Sequence, residues 1–155
     1  IVGTLLGDID PKNAEKYKEN AQEIMFKTEK VRKKFEFGLY SERGRPFFVF
    51  HDAYQYLERS FGLNVTVFLA IDPNRKPSAK RLHDARELIE KSHSVCVMSE
   101  PQFDSKLIKT LIEGMDINMG QIDAVGADLA PGPEMYIQMM DKNLESLKKC
   151  LAWKK

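Results

Sequence analysis

The sequence lacks the features that mark several common classes of protein. It has only two cysteines, and their separation matches no metal-binding spacing such as C-x-x-C. Lysine and arginine total 24 against 23 for aspartate and glutamate, and without a basic stripe no nucleic-acid partner is expected. No apolar run approaches the length of a membrane span, so we expect no membrane insertion. The usual nucleotide, serine-hydrolase and zinc-protease motifs are absent.

Composition alone leaves the state of the two cysteines open. Cys96 and Cys150 are as compatible with two buried free thiols as with one disulfide. If they pair, the chain-entropy account predicts a stabilisation of roughly 4 kcal/mol. A persistent disulfide would place the protein outside the cytosol.

The size of the chain predicts one domain, built from a long helix and four strand–helix units. After a helical segment that ends near Gly7, Asp10-Pro11 predicts a new helix start. An apolar stripe then predicts one amphipathic helix to about Glu36. The predicted strands are residues 46–50, an apolar run expected to be buried on both faces, and residues 63–71, 94–98 and 116–120. Helices are predicted after them near 54–61, 79–89, 105–112 and 134–151, with caps at Ser78 and Asp104 and ends at Gly62 and Gly114. This order predicts an α/β fold: a four-stranded, mainly parallel sheet with helices on both faces, preceded by the long helix.

Four polar residues each follow a predicted strand at its carboxyl end. They are His51, Asp72, Glu100 and Asp123. Ligands bind at that edge of open α/β sheets, so these side chains are the candidates for a shared site. An imidazole beside carboxylates suits zinc and also general acid–base chemistry. The remaining histidines, His83 in a helix and His93 in a turn, are interpreted as surface or packing residues.

Several interpretations of this edge remain open on the residues alone. His51 could be incidental to a helix cap at Asp52. A small metal- or acid/base-dependent enzyme could use His51 and Asp123, with Glu100 as a third group. A receiver-like domain would bind magnesium through clustered acids, which the first strand does not supply. Zinc normally takes four ligands, or three and a water, so His51 and Asp123 alone would be an incomplete site.

Several motifs in order resemble one family. They are DPKNA at 10–14, FHDAY at 50–54, PSA at 77–79, EPQF at 100–103, GADL at 126–129 and PGP at 131–133, together with the two cysteines. Across essentially the whole chain they resemble the carboxyl-terminal lobe of ZnuA, the periplasmic zinc-binding protein of a bacterial zinc ABC importer. The family shows Asp-Pro-Leu-Gly where residues 123–126 read DAVG.

The resemblance implies an arrangement of two lobes with the metal between them. Residues 1–155 would be the carboxyl-terminal lobe, with residues 1–7 the tail of the interlobe helix and the amino-terminal lobe absent. A chain that opens on Ile1 rather than Met fits a mature fragment or an excised domain. The exposed interlobe surface is expected to favour self-association.

The resemblance also implies the ligands, the cargo and the partners. His51 and Asp123 would ligate the metal, and Cys96 would pair with Cys150. His51 favours zinc, because related manganese receptors carry a carboxylate there; a receptor lobe for manganese or another divalent metal is the alternative. We therefore expect a periplasmic, non-enzymatic component that binds zinc weakly as half a site and delivers it to the importer's membrane permease.

Overall fold

A computed structural model describes residues 1–50, 52–67, 78–101 and 105–152 of the chain. The chain divides into two compact units, residues 1–34 and residues 35–155. Among the described residues, no helix is long and apolar enough to cross a membrane.

The first unit is a helical hairpin that turns at Asp10. Helix α1 spans Val2–Ile9, a 3-10 turn spans Pro11–Asn13, and helix α2 spans Ala14–Gly38, leaving the unit after Lys34. Asp10 Oδ2 accepts hydrogen bonds from Asn13 Nδ2 at 2.6 Å and from the Tyr17 hydroxyl at 3.0 Å. The predicted restart at Asp10-Pro11 is therefore confirmed, although its first turn is 3-10.

The predicted end of the first helix near Gly7 is wrong, because α1 continues to Ile9. Gly7 lies inside the helix, where a Cβ atom would come within 3.2 Å of the Ala14 Cβ. The glycine thus permits a close approach of the two helical segments instead of ending the first one.

The second unit is built on a four-stranded parallel sheet. Its strands are β1 (Pro46–Val49), β2 (Asn64–Val67), β3 (Cys96–Ser99) and β4 (Asn118–Gln121), in the order β2-β1-β3-β4. Its helices are α3 (Gln55–Phe61), α4 (Ala79–Lys91), α5 (Ser105–Leu111) and α6 (Met135–Leu151), with a 3-10 turn at Tyr40–Glu42. Neighbouring strands all pair in parallel, which confirms the predicted α/β class.

Local signals placed most of the element ends correctly. The Ser78 side chain accepts a hydrogen bond from the Arg81 amide and caps α4, as predicted. Gly62 ends α3 with φ +65°, and Gly114 follows α5 with φ +77°, both in the left-handed region that favours glycine. The second strand is described only as far as Val67, and Asp104, the predicted cap of α5, lies outside the described residues.

Both faces of the sheet are covered, as the apolar run at β1 predicts. Phe48, Phe50 and Val97 form one cluster with residues of α4 and α5, namely Ala85, Ile89, Ile108 and Leu111. On the other face, Cys96 of β3 is joined to Cys150 of α6 by a disulfide. The disulfide expected from the family resemblance is confirmed, and it ties the last helix to the middle of the sheet.

Candidate functional site

The strand order places a crevice at the carboxyl ends of β1 and β3. The chain passes from β1 to β2 on one side, while β3 pairs with β1 on the other side. Ligands of open parallel sheets bind where the order reverses in this way. Phe50 follows β1, and the buried carboxylate Glu100 follows β3 directly.

Two of the four predicted edge residues can be placed in the structure. Glu100 and Asp123 are described, whereas His51 and Asp72 lie outside the described residues. The ligand role of His51 therefore stays a prediction. His83 is exposed on α4 with its Nε2 3.5 Å from Glu87 Oε1, and His93 is exposed with φ +53°. Both histidines occupy surface positions, as expected.

Asp123 heads a tight turn just beyond β4. Its Oδ1 accepts hydrogen bonds from the backbone amides of Val125 and Gly126, each at 2.9 Å. Gly126 has φ +75°, a conformation that suits glycine. Both bonds use Oδ1, and neither involves Oδ2. The departure of residues 123–126 from the family's Asp-Pro-Leu-Gly does not prevent this turn.

The main chain of Asp123 is also held from outside the loop. Asn143 Oδ1 accepts from the Asp123 amide at 2.9 Å, and Asn143 Nδ2 donates to the Asp123 carbonyl at 2.7 Å. Asn143 is buried on α6. The loop carboxylate therefore sits on a backbone that a helix side chain fixes at both polar atoms.

Tyr54 connects the two described carboxylates electrostatically. Its side chain is buried, and burial is the main reason that the pKa of its phenol is raised. The negative charges of Glu100 and Asp123 raise this pKa further. Glu100 and Asp123 follow the neighbouring strands β3 and β4 at the carboxyl edge of the sheet, and the charges of both act on the Tyr54 phenol.

The recess beside Asp123 is small. Pro101, Asp123, Asp128, Lys142 and other residues line a pocket of about 80 Å³. Pockets for organic ligands are several times larger, roughly 300–1,000 Å³. A recess of this size suits an ion with its waters better than an organic substrate.

The described residues do not complete a metal site by themselves. Within them, no group of three or more histidine, cysteine, aspartate or glutamate side chains is arranged to hold a metal ion. The position of the predicted imidazole ligand at residue 51 falls outside that search.

The sequence does not mark Tyr54 or Asn143 as site residues. Tyr54 fits the pattern of the helix predicted after β1. Asn143 carried a weak signal, because it is an amide between Met140 and Leu144 on the apolar stripe of α6. A polar side chain on a buried helix face indicates a hydrogen-bond partner there, but the sequence does not identify that partner.

Comparisons with known proteins agree with this architecture. A family model described as "Zinc-uptake complex component A periplasmic" matches residues 2–150. The high-affinity zinc uptake system protein ZnuA of Brucella suis is 36% identical over 151 residues, 97% of this chain and 45% of that protein. ZnuA of Yersinia pestis is 28% identical over 144 residues, 93% of this chain and 45% of that protein.

Solved structures show the same fold at lower identity. A zinc-bound variant of AdcAII from Streptococcus pneumoniae has a TM-score of 0.77 at 24% identity, covering 97% of this chain and 54% of that chain. FpvC of Pseudomonas aeruginosa in complex with nickel has a TM-score of 0.82 at 22% identity, covering 97% and 56%. The chain thus spans about half the length of the proteins it matches.

Proposed function

Because the chain belongs to the ZnuA family, we propose that it is one lobe of a zinc receptor that serves an ABC importer. Residues 1–155 are its carboxyl-terminal lobe, and the first residues belong to the helix that joins the lobes. The coverage of about half of each curated relative supports a lobe. The cargo is Zn²⁺, and the lobe supplies His51 and Asp123 as ligands and no catalytic group.

The observation that carries this proposal is the preset carboxylate of Asp123. One of its oxygens is held by two backbone amides, and its main-chain amide and carbonyl are held by Asn143. A side chain restrained in this way can ligate a metal with little further loss of conformational entropy. An imidazole from the end of β1 would add a nitrogen ligand, and nitrogen with oxygen is a donor set that zinc accepts.

Two ligands make about half of a zinc coordination shell. We therefore expect this chain to bind Zn²⁺ more weakly than a complete receptor of the family, with water filling the remaining positions. Metal affinity should also fall as the pH is lowered, because an imidazole and a carboxylate must be deprotonated to ligate.

The partner and the location follow from the same family. The matching family is described as periplasmic, and the curated relatives are named as zinc uptake proteins. The buried disulfide supports an oxidising compartment. We infer that the complete receptor hands zinc to the membrane permease of its importer.

The test is a calorimetric titration of Zn²⁺ into the chain and into single-residue variants. His51→Ala and Asp123→Ala should each weaken binding by about tenfold or more, since each removes a metal ligand. His83→Ala is the matched control: it removes an exposed histidine of α4, and zinc binding should stay within about twofold of the parent chain.

Unchanged zinc affinity in both His51→Ala and Asp123→Ala would refute this site. A parallel titration with Mn²⁺ tests the cargo. Tighter binding of manganese than of zinc would favour the alternative divalent receptor, against the general order of divalent metal affinities.

A further inference from the structure

We propose that Asn143 is a positioning residue for the metal, acting through the main chain of Asp123. The inference rests on the proposed role of Asp123 as a zinc ligand. Asn143 bonds to both polar main-chain atoms of Asp123, with its Oδ1 2.9 Å from the amide nitrogen and its Nδ2 2.7 Å from the carbonyl oxygen. A backbone amide can only donate and a carbonyl can only accept, so the orientation of the Asn143 amide group is determined.

The Asn143 side chain bonds to the main chain just beyond the end of β4. The β3–β4 ladder ends with Ser99 opposite Gln121, and the Ile122 amide still donates to the Ser99 carbonyl at 2.8 Å. At the next residue, Asp123, the Asn143 side chain supplies the donor and the acceptor that a neighbouring strand would otherwise supply. The backbone of Asp123 is therefore hydrogen-bonded at both polar atoms beyond the last residue pair of the β3–β4 ladder.

The location of Asn143 favours a specific role over general packing. Only 5% of the residue is exposed, on a helix face otherwise formed by Leu144, Leu147, Cys150 and Leu151. An amide in such a place is destabilising unless its groups are hydrogen-bonded. Asn143 bonds with both of its polar groups to the main chain of one residue, the proposed ligand Asp123.

Helix α6 is a rigid support for this contact. Ser146 Oγ accepts from the Gln121 amide at 3.0 Å, and Asn118 Nδ2 donates to the Cys150 carbonyl at 2.7 Å. The disulfide from Cys150 to Cys96 adds a covalent link to β3. Side chains on well-anchored helices hold functional groups more accurately than loops do.

Together, two sets of hydrogen bonds orient the ligand. Asn143 fixes the main chain of Asp123, and the amides of Val125 and Gly126 fix its carboxylate. Removing the first set should let the turn move as a unit, so that Oδ2 is less often in position to ligate. Partners that orient a metal ligand typically contribute about 10- to 100-fold to affinity.

The experiment compares Asn143→Ala with Ser146→Ala by Zn²⁺ titration of the full 155-residue chain. Asn143→Ala removes two hydrogen bonds from α6 to the main chain of Asp123, and Ser146→Ala removes one from α6 to the Gln121 amide of β4. Asn143→Ala should weaken zinc binding by about tenfold, and Ser146→Ala by less than about twofold. Thermal melting of each variant without metal shows whether it folds. Asn143→Ser, smaller but still polar, replaces Asn143→Ala if the latter does not melt cooperatively.

A double-mutant cycle separates positioning from a structural effect. If Asn143 acts through Asp123, then adding Asn143→Ala to Asp123→Ala should leave zinc affinity unchanged. Losses that multiply in the double variant, or an Asn143→Ala chain that binds zinc as tightly as the parent, would overturn the inference. If Asp123→Ala itself leaves zinc affinity unchanged, the proposed ligand role of Asp123 fails instead.

Discussion

Reduction of the disulfide is expected to lower the free energy of unfolding by about 4 kcal/mol. The bond joins β3 to α6 across a sequence separation of 54, and both cysteines are buried. In the chain-entropy account, opening a loop of this length returns about 14 cal/mol/K of entropy to the denatured chain, or about 4 kcal/mol at 25 °C. A chain of this size should then lose roughly 8–16 °C in melting temperature.

The assay is urea unfolding of the oxidised chain and of the fully reduced chain, followed by circular dichroism. A thiol count establishes the redox state of each sample. The denatured chain is less compact without the cross-link, so the slope of free energy against urea should also become steeper on reduction. A Cys96→Ala/Cys150→Ala variant is the control, because reductant should not change its unfolding.

A loss below about 1 kcal/mol would refute the chain-entropy reasoning for this loop. A large loss with an unchanged slope would contradict it in another way. The stabilisation would then come from native packing around the buried sulfurs and not from the denatured chain.

Two further perturbations test the packing around the site and the sheet. Burial and neighbouring acids raise the pKa of Tyr54 above its usual 10.0. The protonated phenol therefore makes its full contribution to stability below pH 10, and this contribution is lost as the pH rises further. Above pH 10, the free energy of unfolding of Tyr54→Phe should therefore decline less steeply than that of the parent chain, by about 1.4 kcal/mol per pH unit. Urea unfolding of both chains between pH 9 and pH 11 measures this, and equal declines would contradict it. Gly120→Ala would place a Cβ 2.6 Å from Met98 Sδ and 3.0 Å from Cys150 Cβ, and should destabilise the chain by about 1–3 kcal/mol. Gly132→Ala is its control, because a Cβ at that position would meet no non-adjacent residue within 4 Å. Equal melting temperatures for the two variants would show that the close approach of Gly120 to Met98 and Cys150 is unimportant.

The elements of the fold were predictable because their signals are local. The apolar run at β1 indicated a strand covered on both faces, and Phe47 to Phe50 are buried there. Ser78 marked a helix start, and Gly62 marked a helix end. Gly7 misled the interpretation of the first helix, because a glycine that ends a helix and one that admits a close neighbour look alike in sequence.

The site was predictable in part for the same reason. A polar residue directly after a buried strand must lie near the carboxyl edge of a parallel sheet, and Glu100 and Asp123 do so. The disulfide, in contrast, was settled in sequence only by family resemblance. Spacing alone left Cys96 and Cys150 open, since pairing depends on the distance between β3 and α6.

By itself, the sequence determined the class of fold, the order of its elements and the residues at the edge of the sheet, because these depend on patterns within short segments. Only the tertiary structure decided which of these residues meet. The order β2-β1-β3-β4 brings Tyr54, after β1, to Glu100, after β3. The packing of α6 brings Asn143 to the main chain of Asp123, 20 residues earlier in the chain. Such contacts depend on how whole elements pack together, and the periodicity of a single sequence does not encode that packing.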